Sequence, residues 1–206
     1  MTTHIEQKFV IDTYSEIAHE FSSTRYNIWK FVREFLQNKE HLLGLDIGCG
    51  NGKNMTHENI VGIDNNEAFV QMCEGFGKEV LLAECTDIPF IDNAFDYAMC
   101  ISVIHHLSTE ERRIKCIVEM IRVLRKGGTG IFNVWSYENQ DKHNFVNGDN
   151  YVPWNSRDVS KTTYLRYYNI MNHDRFMQMV NLFHDLIRID DVKNEKGNWI
   201  VQFTKI

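Results

Sequence analysis

Apolar residues along the chain alternate between helical spacing and short unbroken runs. Through residues 14–21 they recur every three to four positions, which predicts an amphipathic helix that ends at Ser22. A second helical pattern follows, and Asn27 is its predicted N-cap. The first unit of the chain is therefore an N-terminal helical cap over residues 1–38.

Short apolar runs without strict alternation come next, and they indicate strands covered on both faces. They are Leu42–Ile47, Ile60–Ile63, Val80–Ala83, Tyr97–Val103 and Gly130–Trp135. Helices are predicted between them at 66–75 and 109–125, the second with Ser108 and Glu111 as its capping box. A further helix capped by Asn172 precedes a C-terminal hairpin. The pattern predicts one α/β domain with a mostly parallel sheet and an antiparallel edge.

Residues 136–168 do not fit this alternation. Eight aromatic side chains fall in the 34 residues from Trp135 to Tyr168, without a clean period. One interpretation is a long loop held down by aromatic anchors. The other is a substrate-covering loop region, because long loops at the carboxyl edge of a parallel sheet often line the site.

Composition and charge limit the class of protein. Of the 206 residues, 43% are hydrophobic and 24% charged, as in soluble globular proteins, and no apolar run reaches the ~20 residues of a membrane span. The five cysteines form no CxxC pair, so we expect neither disulfides nor a metal site. The N-terminus has no signal-peptide pattern, which favours a cytoplasmic location, with the nucleus also open. The net charge of −6 argues against nucleic-acid binding through a broad basic surface.

The clearest candidate site is a glycine-rich turn directly after the first predicted strand. Gly48, Gly50 and Gly52 let a ligand approach the backbone closely, and Lys53 stands where a dinucleotide fingerprint has its third glycine. Asp46 precedes the turn and suits the ammonium group of a ligand rather than a pyrophosphate.

Two further acids follow the next strands. Asp64, after the second strand, is placed to bind a ribose diol, or alternatively to cap the next helix. Glu84 and Cys85, after the third, stand where a carboxylate and a backbone N–H would bind an adenine amino group, unless Glu84 is simply solvated. An adenosyl ligand that carries an amino acid meets these demands, which predicts S-adenosylmethionine as the cofactor.

The order of motifs is similar to that of class I S-adenosylmethionine methyltransferases. These motifs are LDIGCGNG, GID, LAECTDIPF, FDYAMCISVIHHLS and VLRKGG. More narrowly, the chain resembles the eukaryotic tRNA wobble-uridine methyltransferases, which convert 5-carboxymethyluridine to its methyl ester. That resemblance rests on YSEIAHEFSSTRYNIW, GCGNGKN, VIHHLSTEERR, VPW, LRYYNI and NWIVQF. It implies a Rossmann-like, seven-stranded, mostly parallel sheet with helices on both faces and a C-terminal antiparallel hairpin.

Two departures from the family pattern concern the adenine segment and the aromatic region. Glu84-Cys85 replaces the usual Asp-Gly, and few residues separate VPW from RYY. Together with the resemblance, the motifs predict cofactor-binding positions on the N-terminal helix, the glycine turn and the strand ends. They are Tyr14, Asp46, Gly48, Cys49, Gly50, Asn51, Gly52, Asp64, Asn65, Glu84, Cys85 and Ile101.

If the substrate group is a carboxylate, its methylation needs little acid–base chemistry. A carboxymethyl group has a pKa near ~4 and is already ionised at neutral pH, so its methylation requires positioning rather than a base. Cations would orient the carboxylate, histidines after the fourth strand would bind substrate, and aromatic rings would stack on the base. The predicted residues are Arg25, Tyr26, His105, His106, Trp135, Arg166 and Tyr167.

Each of these residues also has a structural interpretation. Arg25 could be a surface cation, either histidine could close the strand, and the aromatic residues could be packing anchors. One alternative function is a class I methyltransferase acting on a small-molecule carboxylate or hydroxyl, with a histidine as base. Another is a catalytically silent scaffold of the same fold.

The resemblance also implies two partners. One is the anticodon loop of tRNA, and the other is a small zinc-binding activator subunit that pairs along the edge strand near Glu79–Ala83. An apolar open edge such as this is a liability unless another chain covers it. A local basic surface could come from the predicted helix at 109–125, although a solvated helix face explains the same residues: Arg112, Arg113, Lys115, Arg122, Arg125 and Lys126.

Overall fold

A computed structural model describes residues 1–138, 144–157 and 161–206 of the chain. The N-terminal cap consists of α1 (His4–Glu6), a π-helical turn (Gln7–Ile11) and α2 (Asp12–Ser23) in one continuous rod. α2 ends where the sequence pattern predicts. The next helix, α3 (Lys30–Leu36), begins later than expected, because its N-cap is Trp29 and Asn27 makes no cap.

The centre of the fold is a seven-stranded sheet in the order β3-β2-β1-β4-β5-β9-β8. Its strands are β1 (Gly44–Ile47), β2 (Ile60–Asp64), β3 (Val80–Leu82), β4 (Phe95–Ile101), β5 (Leu124–Trp135), β8 (Ile187–Glu195) and β9 (Asn198–Lys205). The first five are parallel, while β9 runs antiparallel to both β5 and β8. This confirms the predicted class I architecture, including the C-terminal hairpin and β3 at one edge.

Helices cover both faces of this sheet. α3 and α4 (Glu67–Gly75) pack on one face, and α5 (Glu110–Val123) and α6 (His173–Asn181) pack on the other. Asn172 caps α6 as predicted, but the cap of α5 is Thr109. The N–H and hydroxyl of Ser108 instead donate to the Glu6 carboxylate, which ties the N-terminal cap to the sheet. No described helix is long and apolar enough to cross a membrane.

The aromatic region after β5 contains two strands rather than the expected loop. β6 (Gly148–Asn155) and β7 (Thr163–Ile170) form an antiparallel hairpin with no hydrogen-bonded partner in the main sheet. The sequence shows no alternation because both faces of β7 are covered, so consecutive residues such as Tyr167 and Tyr168 are both buried. Parts of the predicted substrate cover, residues 139–143 and 158–160, lie outside the described residues.

Candidate active site

A cavity of about 860 Å³ opens at the carboxyl ends of the central parallel strands. Its floor is the turn after β1 together with the ends of β2 and β4, and the N-terminal cap closes one side. The β7 strand supplies the opposite wall. This is the position at which ligands bind in open parallel sheets, since the loops that follow neighbouring strands converge there.

The glycine turn is fastened to the end of β2 by Asp64. The Gly50 N–H donates to Asp64 Oδ2 at 2.8 Å and the Asn66 N–H donates to Oδ1 at 2.9 Å. Burial raises the pKa of Asp64 to about 6, although these backbone hydrogen bonds oppose the shift. Each carboxylate oxygen keeps a second lone pair, so the same side chain can also accept from a ribose diol.

Asp46 lies beneath the turn as a buried acid, and the charges of Lys53 and Lys78 act on it. Its side chain is fully buried, and neither oxygen accepts a hydrogen bond from the described residues. Burial, followed by the nearby charge of Asp64, raises its pKa to about 7. Asp46 is not on the cavity wall itself, but a positively charged ligand group held by the turn would stabilise the ionised form.

Two cations face the cavity on the other side of the turn. The Asn51 amide donates to Ser22 Oγ at 3.0 Å and to the Arg25 carbonyl at 3.1 Å, which brings the end of α2 to the glycine turn. Lys53 lines the same cavity, and burial together with the charge of Arg25 lowers its pKa. Neither cation has an ion pair among the described residues. An amino-acid ligand with an ammonium and a carboxylate therefore fits this end of the cavity.

At the predicted adenine end of the cavity, the Glu84 carboxylate is already bound by other side chains of the protein. Its Oε2 pairs with Arg112 at 3.0 Å, and its Oε1 accepts from Thr2 and Asn65. Arg112 also pairs with the buried Glu6 at 2.7 Å, a network that sequence analysis did not predict. Glu84 is not among the residues that line the cavity, whereas Cys85 is buried on its wall.

The two histidines after β4 have defined and different tautomers. The Trp135 N–H donates to His105 Nδ1 at 3.3 Å, so Nε2 carries the proton, and this N–H has no acceptor among the described residues. His106 donates from Nδ1 to the Tyr167 carbonyl at 2.7 Å, which leaves its Nε2 as an acceptor. Burial lowers the pKa of His105 well below its usual value and that of His106 to about 4. Both rings are neutral at physiological pH.

Arg166, on β7, is a buried cation with no anionic partner among the residues that the structure describes. Its side chain lies between the rings of Trp154 and Tyr168, at 5.2 and 5.4 Å from their centroids. Nη1 donates to Tyr168 Oη at 3.1 Å, but Nε has no acceptor and no carboxylate lies within ion-pair distance in the described part of the chain. An unpaired buried guanidinium is energetically unfavourable, so the cavity is prepared for an anion.

A hydrogen-bond chain connects Arg166 to His106. Because His106 Nε2 can only accept, Tyr14 donates to it at 3.3 Å, and Tyr168 can then donate to Tyr14 at 3.2 Å. Arg166 donates to Tyr168, so all protons in the chain point the same way. Tyr14 belongs to the N-terminal cap, and the chain therefore joins that cap to the wall formed by β7.

The structure brings most of the predicted site residues to this one cavity. They are Tyr14, Arg25, Gly48, Cys49, Gly50, Asn51, Asp64, Asn65, Cys85, Ile101, His105, His106, Trp135 and Arg166. Gly52 is buried behind the turn, where an added Cβ would lie 2.6 Å from Lys78, and Tyr26 is 74% exposed. Tyr167 faces away and donates to Asp149 at 2.6 Å. Its neighbour Tyr168 faces the cavity, which the RYY motif alone could not distinguish.

The fold and this cavity define a class I methyltransferase, and comparisons with known proteins agree. The family model described as a methyltransferase domain matches residues 45–132. A methyltransferase from Haloferax volcanii, solved in complex with the Trm112 methyltransferase activator, superposes with a TM-score of 0.69 at 14% identity. The match covers 98% of this chain and 97% of that one.

Sequence relatives identify the family more narrowly. A tRNA (carboxymethyluridine(34)-5-O)-methyltransferase from Schizosaccharomyces pombe is 36% identical over 162 residues, which cover 75% of this chain and 71% of that protein. One from Arabidopsis thaliana is 40% identical over 144 residues, 68% of this chain but 36% of that protein. The chain belongs to the tRNA (carboxymethyluridine(34)-5-O)-methyltransferase family. The matched region spans about a third of the Arabidopsis relative and 57% of one from Saccharomyces cerevisiae.

Proposed function

We propose that this chain transfers the methyl group of S-adenosylmethionine to the carboxylate of 5-carboxymethyluridine at the tRNA wobble position, giving the methyl ester. The observation that carries the proposal is Arg166, a buried guanidinium on the wall of the cavity that has no anionic partner in the described part of the chain. A carboxylate is the substrate group that would neutralise it. Family membership supplies the tRNA context.

The reaction requires the protein to bind and orient the substrate and requires no proton transfer. The glycine turn and Asp64 would hold S-adenosylmethionine, which would supply an electrophilic methyl group on a sulfonium sulfur to the carboxylate oxygen. The carboxylate is already ionised at neutral pH, so no base is needed. Most of the rate enhancement then comes from alignment and removal of water.

Three side chains are placed for that alignment. Arg166 supplies charged N–H donors, and the Nε2–H of His105 is an unoccupied neutral donor on the same wall. A neutral donor leaves more nucleophilicity on the oxygen than a second cation would. Trp135 lines the cavity beside them and offers a ring on which the base can stack.

The alternative with a histidine base is not favoured. A hydroxyl substrate would require a base with a pKa near the working pH, whereas burial lowers the pKa of His106 to about 4 and that of His105 well below its ordinary value. A small-molecule carboxylate remains the second candidate, because Arg166 would neutralise it equally well.

We also infer that a zinc-binding activator subunit covers β3, the edge of the sheet. Leu81 and Leu82 are 42% and 58% exposed there, on a strand whose outer hydrogen-bonding groups face no other strand of the described sheet. The Haloferax neighbour was solved in complex with the Trm112 methyltransferase activator. Replacing Leu82→Lys should abolish co-purification without changing the stability of the isolated chain, and retained association would contradict this arrangement. A cytoplasmic location, with the nucleus also possible, accords with this role.

The decisive experiment is methyl transfer from labelled S-adenosylmethionine to tRNA bearing 5-carboxymethyluridine, with and without the activator. We expect base-labile label at the wobble nucleotide, dependent on the activator. The same tRNA carrying 5-carbamoylmethyluridine is the matched control and should take up no label. Transfer to free small carboxylates but not to tRNA would instead support the second candidate.

A further inference from the structure

All four arginines of the predicted basic helix already have partners within the protein. Arg122 pairs with Glu119 at 2.8 Å and with Asp92 at 2.9 Å, and Arg125 pairs with Asp96. Arg112 is held by Glu6 and Glu84, and buried Arg113 donates to the Leu107 carbonyl. Since these guanidinium groups have partners, α5 presents little free positive charge to a nucleic acid.

Exposed positive charge is found instead at the rim of the cavity. Lys30, Arg33 and Lys196 all line it, from α3 and from the turn between β8 and β9. Lys30 and Arg33 are three residues apart and therefore share one face of α3. Neither Arg33 nor Lys196 has a side-chain ion pair or hydrogen bond within the described residues, and both are exposed.

The turn and the helix are held together at this rim. Lys193 of β8 reaches Glu34 of α3 at 3.7 Å, and Glu34 also pairs with Lys30 at 3.4 Å. The Glu34 carboxylate is thus shared between two lysines, one of which, Lys30, belongs to this rim. Tyr26 is an exposed aromatic residue between Arg25 and Asn27, which both line the cavity.

We propose that this cationic rim, Lys30, Arg33 and Lys196, binds the phosphates on either side of the nucleotide that enters the cavity. The inference rests on the proposed function and identifies the surface with which this acidic chain binds its RNA. A wobble nucleotide inserted into the cavity leaves its neighbouring phosphates outside, at the rim. Phosphate contacts of this kind position the strand without reading sequence, and Tyr26 can stack on a neighbouring base.

The test compares two charge-matched double variants. Arg33→Gln/Lys196→Gln removes two rim cations, and Lys115→Gln/Lys126→Gln removes two exposed cations elsewhere, Lys126 being at the opposite end of β5 from the cavity. The full chain, with its activator and S-adenosylhomocysteine, is titrated with an anticodon stem-loop carrying 5-carboxymethyluridine over a series of salt concentrations. Cofactor affinity, measured separately, verifies that each variant is folded.

Each phosphate contact that is lost should reduce the slope of log affinity against log salt by about 0.7 for a single strand. We therefore expect the rim variant to lose about 1.4 from the slope and the control to keep it. Equal slopes in the two variants, with tight binding by the unchanged protein, would overturn the rim assignment alone. Failure of the unchanged protein to bind or methylate the stem-loop would overturn the proposed function as well.

Discussion

Replacing Arg166→Met tests whether Arg166 binds the anion of the substrate or stabilises the fold. The side chain lies at 6% exposure, contacts two aromatic rings and one tyrosine hydroxyl, and has no carboxylate partner among the described residues. Methionine keeps much of its volume but removes the charge. In a buried ion pair, loss of one partner leaves an uncompensated charge and destabilises by about 3–5 kcal/mol. Here no such charge would remain.

The expected stability change is therefore small. The variant loses two cation–π contacts of about 0.5–2 kcal/mol each and one hydrogen bond from a charged group, worth about 1.5–3 kcal/mol. It also avoids the several kcal/mol needed to desolvate an unpaired charge. These contributions nearly cancel, and we expect the free energy of unfolding to change by no more than about 1 kcal/mol.

Activity should respond very differently. Truncating one side of a desolvated charge pair between protein and ligand weakens binding by about 2–5 kcal/mol. At 1.36 kcal/mol per tenfold, that predicts a loss in kcat/KM of about 30-fold or more. Binding competition should also lose the preference for carboxymethyl over carbamoylmethyl tRNA. The assays are urea unfolding, steady-state methyl transfer and that competition.

A structural arginine provides the control. Arg113→Met leaves the Leu107 carbonyl without its donor and should lower stability by about 1–3 kcal/mol, with kcat/KM preserved in the folded fraction. If Arg166→Met behaved in this way, or kept kcat/KM within threefold of the unchanged protein, the reasoning about an unpaired anion-binding cation would be refuted.

Three further predictions concern the ionisable groups around the cavity. Asp46→Asn should raise the free energy of unfolding of the ligand-free protein by at most about 4 kcal/mol above pH 7 and by little near pH 4. The reason is that the pKa of this buried acid rises from 3.8 to about 7 on folding, so the protein loses stability as pH rises through that window. Urea unfolding at both pH values measures the difference. Cofactor affinity should increase from pH 5 to 8 as Asp46 and Asp64 ionise, while the activity of the saturated complex should stay constant above pH 6. An activity that increased with the deprotonation of a histidine would instead support the base mechanism. Tyr168→Phe should lower kcat/KM by about tenfold, with cofactor affinity unchanged, because it breaks the chain that orients Arg166.

The sequence was most informative where local chemistry and periodicity coincide. The glycine turn and the parallel strands follow from local patterns, and the structure agrees with them, whereas the order of the strands was implied by the family resemblance. Caps were less predictable, since Thr109 and Ser108 are adjacent and only tertiary contact with Glu6 decides which one caps α5. The side of β7 that faces the cavity was not predictable from RYY, because both neighbouring tyrosines are buried and only packing against Trp135 and Asp149 distinguishes them.

The division of the cavity suggests how substrate choice and cofactor binding can change independently. The groups that fit the amino-acid and ribose ends of the cofactor come from the parallel sheet and from the end of α2. Arg166 comes instead from the hairpin inserted between β5 and α6, which makes no ladder with that sheet. A change in the hairpin can therefore alter the substrate without moving Asp46 or Asp64. The hydrogen-bond chain through Tyr14 limits this freedom, because it joins Arg166 to the N-terminal cap that closes one side of the cavity.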